Sequence, residues 1–141
     1  MQGWILPTLG ALFVWGFWGF IPKLTTTYLE PKSAIVYEVL GALILGLIVL
    51  AASQFKVETH PIGIAFAMTT GMLGFIGAFF FLQAVSKGPV TLVAAVSALY
   101  PIVSILLAVF FLHESITFRQ AVAISLAVLA MILVTASDSP K

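Results

Sequence analysis

Charge is what this chain has least of. Of 141 residues only 6 are Lys or Arg and 5 are Asp or Glu, 8% together, against 62% hydrophobic residues and a mean hydropathy of +1.20. So little polar surface cannot cover a water-soluble globule, and the chain is read as an integral membrane protein. Cysteine is absent, which excludes a disulfide framework and thiolate chemistry. Basic clusters are absent too, and a net charge of +1 gives no electrostatic footprint for nucleic acid. There is no GxxxxGK[ST] loop for ATP, and no span carries a nucleophile with a nearby base, an HExxH or paired carboxylates, so an intramembrane enzyme is not expected. His60 with Glu58 and His113 with Glu114 place no set of ligands on one helix face, so neither a metal nor a cofactor is expected. The opening MQGWILPTLGALFVWGFWGF lacks a basic leader and a small-residue cleavage site, and reads as a retained first span rather than a signal peptide.

What the chain does have is long apolar runs. The most telling is VTLVAAVSALYPIVSILLAVFFL, residues 90–112, uncharged and with one proline near its middle. A run of that length is a membrane-spanning helix. Pro101 removes a backbone donor and presses on the carbonyl four residues back, so a kink is expected there with a carbonyl near Ser97 short of a partner. Ser97, Pro101, Ser104 and Ala108 then fall on one stripe, facing a cavity or a close helix neighbour. Five apolar segments in all are expected as helices, at about residues 4–21, 34–53, 62–85, 90–112 and 118–136. Ser33 is the expected N-cap of the second, and Pro61 suits the first turn of the third. The connections are short, so consecutive spans are antiparallel neighbours in one domain, residues 1–141. Gly16 and Gly19, Ala42 and Gly46, Gly71 with Gly74 and Gly77, and Ala123 with Ala127 supply small residues for close helix packing; in the third span they also offer a bending point at Gly74.

Glu38 is the sole carboxylate inside an expected span. A mid-bilayer charge costs about 2.5–3.5 kcal/mol on insertion scales, so it needs a partner or a task. It lies about 7.5 Å of helix rise beyond Ser33. It either ion-pairs with Lys23 or Lys32 or exchanges a proton for substrate. Glu114 reads as an interfacial residue capping the last helix with Ser115 or Thr117. Trp15, Trp18, Tyr100 and the Phe79–Phe81 run are candidate cavity aromatics, able to stack on apolar solutes or hold organic cations. Gln83, Ser97 and Ser104, with Thr69 and Thr70, are the polar groups deep enough to orient a solute.

An odd number of spans puts the termini on opposite faces. Lys56, Arg119 and the terminal amine then oppose Lys23, Lys32, Lys87 and Lys141, three against four. Lys and Arg bias sets orientation, and a near tie is what a chain inserting both ways up shows, with a slight lean toward a cytoplasmic C-terminus. Five helices wall off a solute thinly. Two copies, one inverted, would enclose a path in the way inverted repeats do in secondary transporters.

Residues 81–134, FLQAVSKGPVTLVAAVSALYPIVSILLAVFFLHESITFRQAVAISLAVLAMILV, resemble the second half of an EamA repeat of the drug/metabolite transporter superfamily. The carriers of the resemblance are the Ala84-x-x-x-Gly88 pattern ending the third helix, the mid-helix Pro101, and Leu112-His113-Glu114 with a helix following at once. Trp15-Gly16 and Trp18-Gly19 in the first span are similar to the family's opening helix. The last helix begins RQAVAI where a glycine is common in the family, and no substrate-specific signature is present. Family members usually hold two inverted repeats and move amino acids, sugars, nucleotide sugars or other metabolites, often as exporters. The resemblance to a single repeat implies an antiparallel homodimer in the cytoplasmic (inner) membrane, with the first four helices forming the cavity and the fifth supporting the dimer. The expected cargo is a small organic metabolite such as an amino acid. The alternatives are a proton/organic-cation antiporter working through Glu38, as in the small multidrug exporters, and a subunit that pairs with a different repeat protein.

Overall fold

A computed structural model describes residues 3–136. Met1, Gln2 and the SDSPK tail, with the Lys141 of the charge comparison, lie outside the described residues. Among these residues all regular structure is helical: α1 (Ile5–Thr25), α2 (Pro31–Ala52), α3 (Pro61–Lys87), α4 (Val90–Ser97), α5 (Tyr100–Leu112) and α6 (Phe118–Ala136). Helices α1, α2 and α3, with 21, 22 and 27 residues, are long and apolar enough to cross a membrane, and so is the stretch Val90–Leu112 that α4 and α5 share. The apolar part of α6, Phe118–Leu133, is shorter. Two compact units follow one another, Met1–Lys87 and Gly88–Lys141.

Local chemistry explains most helix ends. In a bilayer each free backbone carbonyl is expensive, and the last turn of α1 covers three of its own: the hydroxyls of Thr25, Thr26 and Thr27 donate to the carbonyls of Ile21, Lys23 and Leu24 at 3.2, 3.1 and 2.6 Å. The threonine run therefore carries α1 four residues past Ile21, where the sequence pattern had ended it, with Pro22 inside the helix. The expected Ser33 cap is corrected. Glu30 is the cap residue of α2, in extended backbone, with Pro31 at the first helical position, where its missing N–H leaves nothing unpaired. The Ser33 and Ala34 amides both donate to the Glu30 carbonyl. α2 closes through two successive left-handed residues, Gln54 and Phe55, at φ 55° and 60°. α3 begins at Pro61 as expected, and His60 caps it, Nδ1 accepting the Gly63 N–H at 3.3 Å.

In the first unit the buried side chains gather at one end. Pro22 of α1, Ala34 of α2 and Ala78, Phe81, Leu82 and Val85 of α3 are buried, with Leu82, Val85 and Ala34 at 0% exposure. The Lys23 ammonium adds a 2.7 Å hydrogen bond to the Val85 carbonyl in the last turns of α3, where the helix dipole favours a cation. Toward the other end the three helices show their apolar side chains outward. The small residues expected to pack there do not pack within this unit: a Cβ added at Gly16, Gly19, Gly46, Gly71, Gly74 or Gly77 would meet nothing of a neighbouring helix within 4 Å. α3 is one continuous helix through Gly74.

In the second unit the expected kink is a break. α4 ends at Ser97, the Ala98 and Leu99 amides turn back onto the carbonyls of Ala94 and Val96, and α5 starts anew at Tyr100 with Pro101 in its first turn. Position 101 has no N–H to give the Ser97 carbonyl, and the Ile102 amide reaches only to Leu99, at 3.0 Å. Among the described residues the Ser97 and Ala98 carbonyls accept no backbone hydrogen bond. Helix α4 packs on α6.

Candidate functional site

Each unit presents one candidate region. In the first, it lies beside the packed end of α3. Glu38 stands four residues after the buried Ala34, on the same face of α2 and one turn further in. Its side chain is half-buried, and Oε2 is shielded with no hydrogen-bond partner. That oxygen meets neither of the expected partners, Lys23 or Lys32, and Lys23 gives a hydrogen bond to the Val85 carbonyl. The helix break Thr26–Glu30 and the proline start of α2 set Lys32 on an exposed first turn.

Across on α1, Trp18 tilts against Phe81 with ring centroids 5.4 Å apart and planes at 35°. This contact couples a first-span tryptophan to the buried stretch of α3, and ring pairs at that separation are favourable beyond their area. Trp15, one turn earlier, points out of the chain at 60% exposure. Gln83 follows the fully buried Leu82 and is half-buried. Thr69 and Thr70 give their protons to the carbonyls of Ala65 and Phe66 in their own helix, at 2.8 and 2.9 Å, and keep only acceptor lone pairs for a solute.

In the second unit, a groove of about 600 Å³ runs between α5, the loop after it and the start of α6. Tyr100, Pro101, Ser104 and Ala108 line it on one side, and Glu114, Gln120 and Ala123 on the other. Of the expected stripe, Pro101, Ser104 and Ala108 line this groove. Ser97 is parted from it by the helix break, its hydroxyl bonded to the Ala94 carbonyl at 3.0 Å. A smaller cavity of about 160 Å³ sits under the break, between Leu99, Ile102 and Ala127.

Glu114 and Gln120 were not expected here. The cap of α6 is a reciprocal pair made without Glu114: Gln120 Oε1 accepts both the Thr117 N–H and the Thr117 hydroxyl at 2.8 Å, and the Gln120 N–H returns to Thr117 Oγ1 at 3.4 Å. This corrects the capping role given to Glu114. The Thr-x-x-Gln spacing in TFRQ was the signal that could have found it. The backbone of α5 ends through His113 in the left-handed region, φ 54°, and the His113 and Glu114 amides both fold back to the Ala108 carbonyl. No group of three or more His, Cys, Asp or Glu able to hold a metal occurs among the described residues.

The EamA-like transporter family model matches residues 2–136, a single repeat over nearly the whole chain. An uncharacterized protein, MJ1333.1, of Methanocaldococcus jannaschii is 28% identical over 134 residues, covering 95% of this chain and 96% of its own length. No solved structure matches. Helices long enough to span a bilayer and a family whose members are transporters both support a multi-pass membrane protein. The chain belongs to the EamA-like transporter family, within the drug/metabolite transporter superfamily.

Proposed function

We propose that this chain is a secondary transporter that exports a small organic metabolite, such as an amino acid, by alternating access in an antiparallel homodimer of one-repeat subunits in the cytoplasmic membrane. The observation that carries the reading is the unmet surface of the first unit. Glycines of α1, α2 and α3 lie in open space, although close backbone approach at small residues is what holds helices together in lipid. A second copy can supply those neighbours. The three-to-four charge tie allows that copy to be inverted. Trp15, Trp18, Gln83, Ser97, Tyr100 and Ser104 are the proposed solute contacts, with Pro101 and Gly74 as points of flexure.

Purified chain in liposomes tests this. Solute flux from the single polypeptide supports the homodimer, and flux only after a second polypeptide is added supports a hetero-assembly. Labelling of single cysteines introduced at position 33 and position 54, on opposite ends of α2, should find both ends accessible from outside in a near-equal split.

A second reading is favoured by Glu38, whose Oε2 is shielded and unbonded. In it the carboxyl alternates between proton and cationic substrate, and exchange is driven by the proton gradient. Glu38→Gln should then abolish gradient-driven uptake. Undiminished, pH-dependent uptake by that variant removes the reading.

A further inference from the structure

The groove along α5 has a single charged group in its wall, the Glu114 carboxylate, and no cation. That carboxylate is not occupied by the fold. Thr117 and Gln120 complete the helix cap by themselves, and Glu114's side chain makes no hydrogen bond or ion pair with any described residue. From Glu114 the wall runs through Ile105, Ala108 and Ala123 to the Tyr100 end. α5 rises about 18 Å over that length, so the groove is elongated, charged at its loop end and apolar along its body.

We propose that this groove binds amphiphilic organic ammonium ions, the head paired with Glu114 and the apolar body laid along α5 and α6 toward Tyr100. Complementary charge is what selects the occupant. An ammonium meets an unpaired carboxylate, whereas an anion meets repulsion with no lining cation to offset it. The Tyr100 ring adds an aromatic face at the far end. The site deepens the transporter reading by naming a substrate class, and rests on that reading only for the claim that what binds is also carried.

The test is equilibrium binding of octylammonium, octanol and octanoate to the full chain in lipid nanodiscs, with protein-free discs as the partition reference. Wild type should bind octylammonium saturably and at least tenfold more tightly than octanoate, a comparison that needs no variant. Glu114→Gln should weaken octylammonium at least tenfold and leave octanol within twofold, Glu114→Asp should keep most of the affinity, and Ala123→Phe, which fills the groove, should weaken octylammonium and octanol alike. Non-saturable uptake, the mark of a groove filled by acyl chains, overturns the proposal. So does equal affinity for octylammonium and octanoate, or a Glu114→Gln loss shared by octanol. Flux measured on the same preparations separates the two readings. Saturable, Glu114-dependent binding without transport leaves the site standing and removes the transporter, and metabolite flux without octylammonium binding does the reverse.

Discussion

At position 113 a histidine occupies backbone that L-residues avoid. Its φ of 54° lets the chain leave α5 with its own amide and that of Glu114 both turned back to the Ala108 carbonyl, and glycine takes that conformation without the Cβ clash. His113→Gly should stabilise the protein by about 1 kcal/mol, seen as a higher melting temperature in detergent. Thr117→Ala has the opposite sign. It removes two of the three hydrogen bonds shared with Gln120 and should cost about 1 kcal/mol, read from the same melts. Both residues were partly legible in the sequence. The Thr-x-x-Gln spacing predicts a capping box, but Glu114 and Ser115 offered rival caps three and two residues earlier, and only the three-dimensional path, which turns left-handed at His113, shows that the helix starts after them. Glu30 was hidden for a similar reason: Ser33 is the better cap by residue type, and Pro31 decides otherwise because it is tolerated only in a first turn.

The helices themselves were readable from apolar run length, and each of the five expected segments is helical within a few residues of its predicted ends. The break in the fourth was not. One proline announces a bend, but whether a helix bends or stops depends on whether the next amides find their carbonyls four residues back. Here Ile102 bonds to Leu99 and passes over Ala98. Pro101→Ala gives position 101 an N–H for the Ser97 carbonyl. It should join α4 to α5, and hydrogen–deuterium exchange should show slower exchange at residues 98–102 than in the parent. Leu82 sits at the centre of the packed end of α3 with 0% exposure. Lipid tails are as apolar as leucine, so Leu82→Ala loses packing and leaves a cavity without the full transfer penalty met in water. A destabilisation of about 2 kcal/mol is expected, measurable by unfolding in mixed micelles.

For the whole molecule, the sequence showed the class and the family resemblance but not the site. Trp15 and Trp18 look equivalent in WGFW, yet one tilts against Phe81 and the other faces outward. The groove beside Glu114 depends on where α5 and α6 come to lie, which no spacing encodes. Orientation is testable at this scale. Two added lysines on one loop face, Thr26→Lys and Thr27→Lys, break the three-to-four charge tie and should lock most molecules one way up. If the subunits pair antiparallel, flux should fall at least fivefold in that variant and recover when it is co-reconstituted with a variant biased the other way.

The crowding of Pro22, Ala34, Leu82 and Val85 at one end of α1–α3 also bears on the lipid around the protein. A three-helix unit packed tightly at one end and loosely at the other would, set across a bilayer, take unequal room in the two monolayers and put a bending stress on the sheet. Molecules all facing one way would add their stresses and favour curved vesicles, while a pair set head to tail would cancel them and sit at ease in a flat membrane.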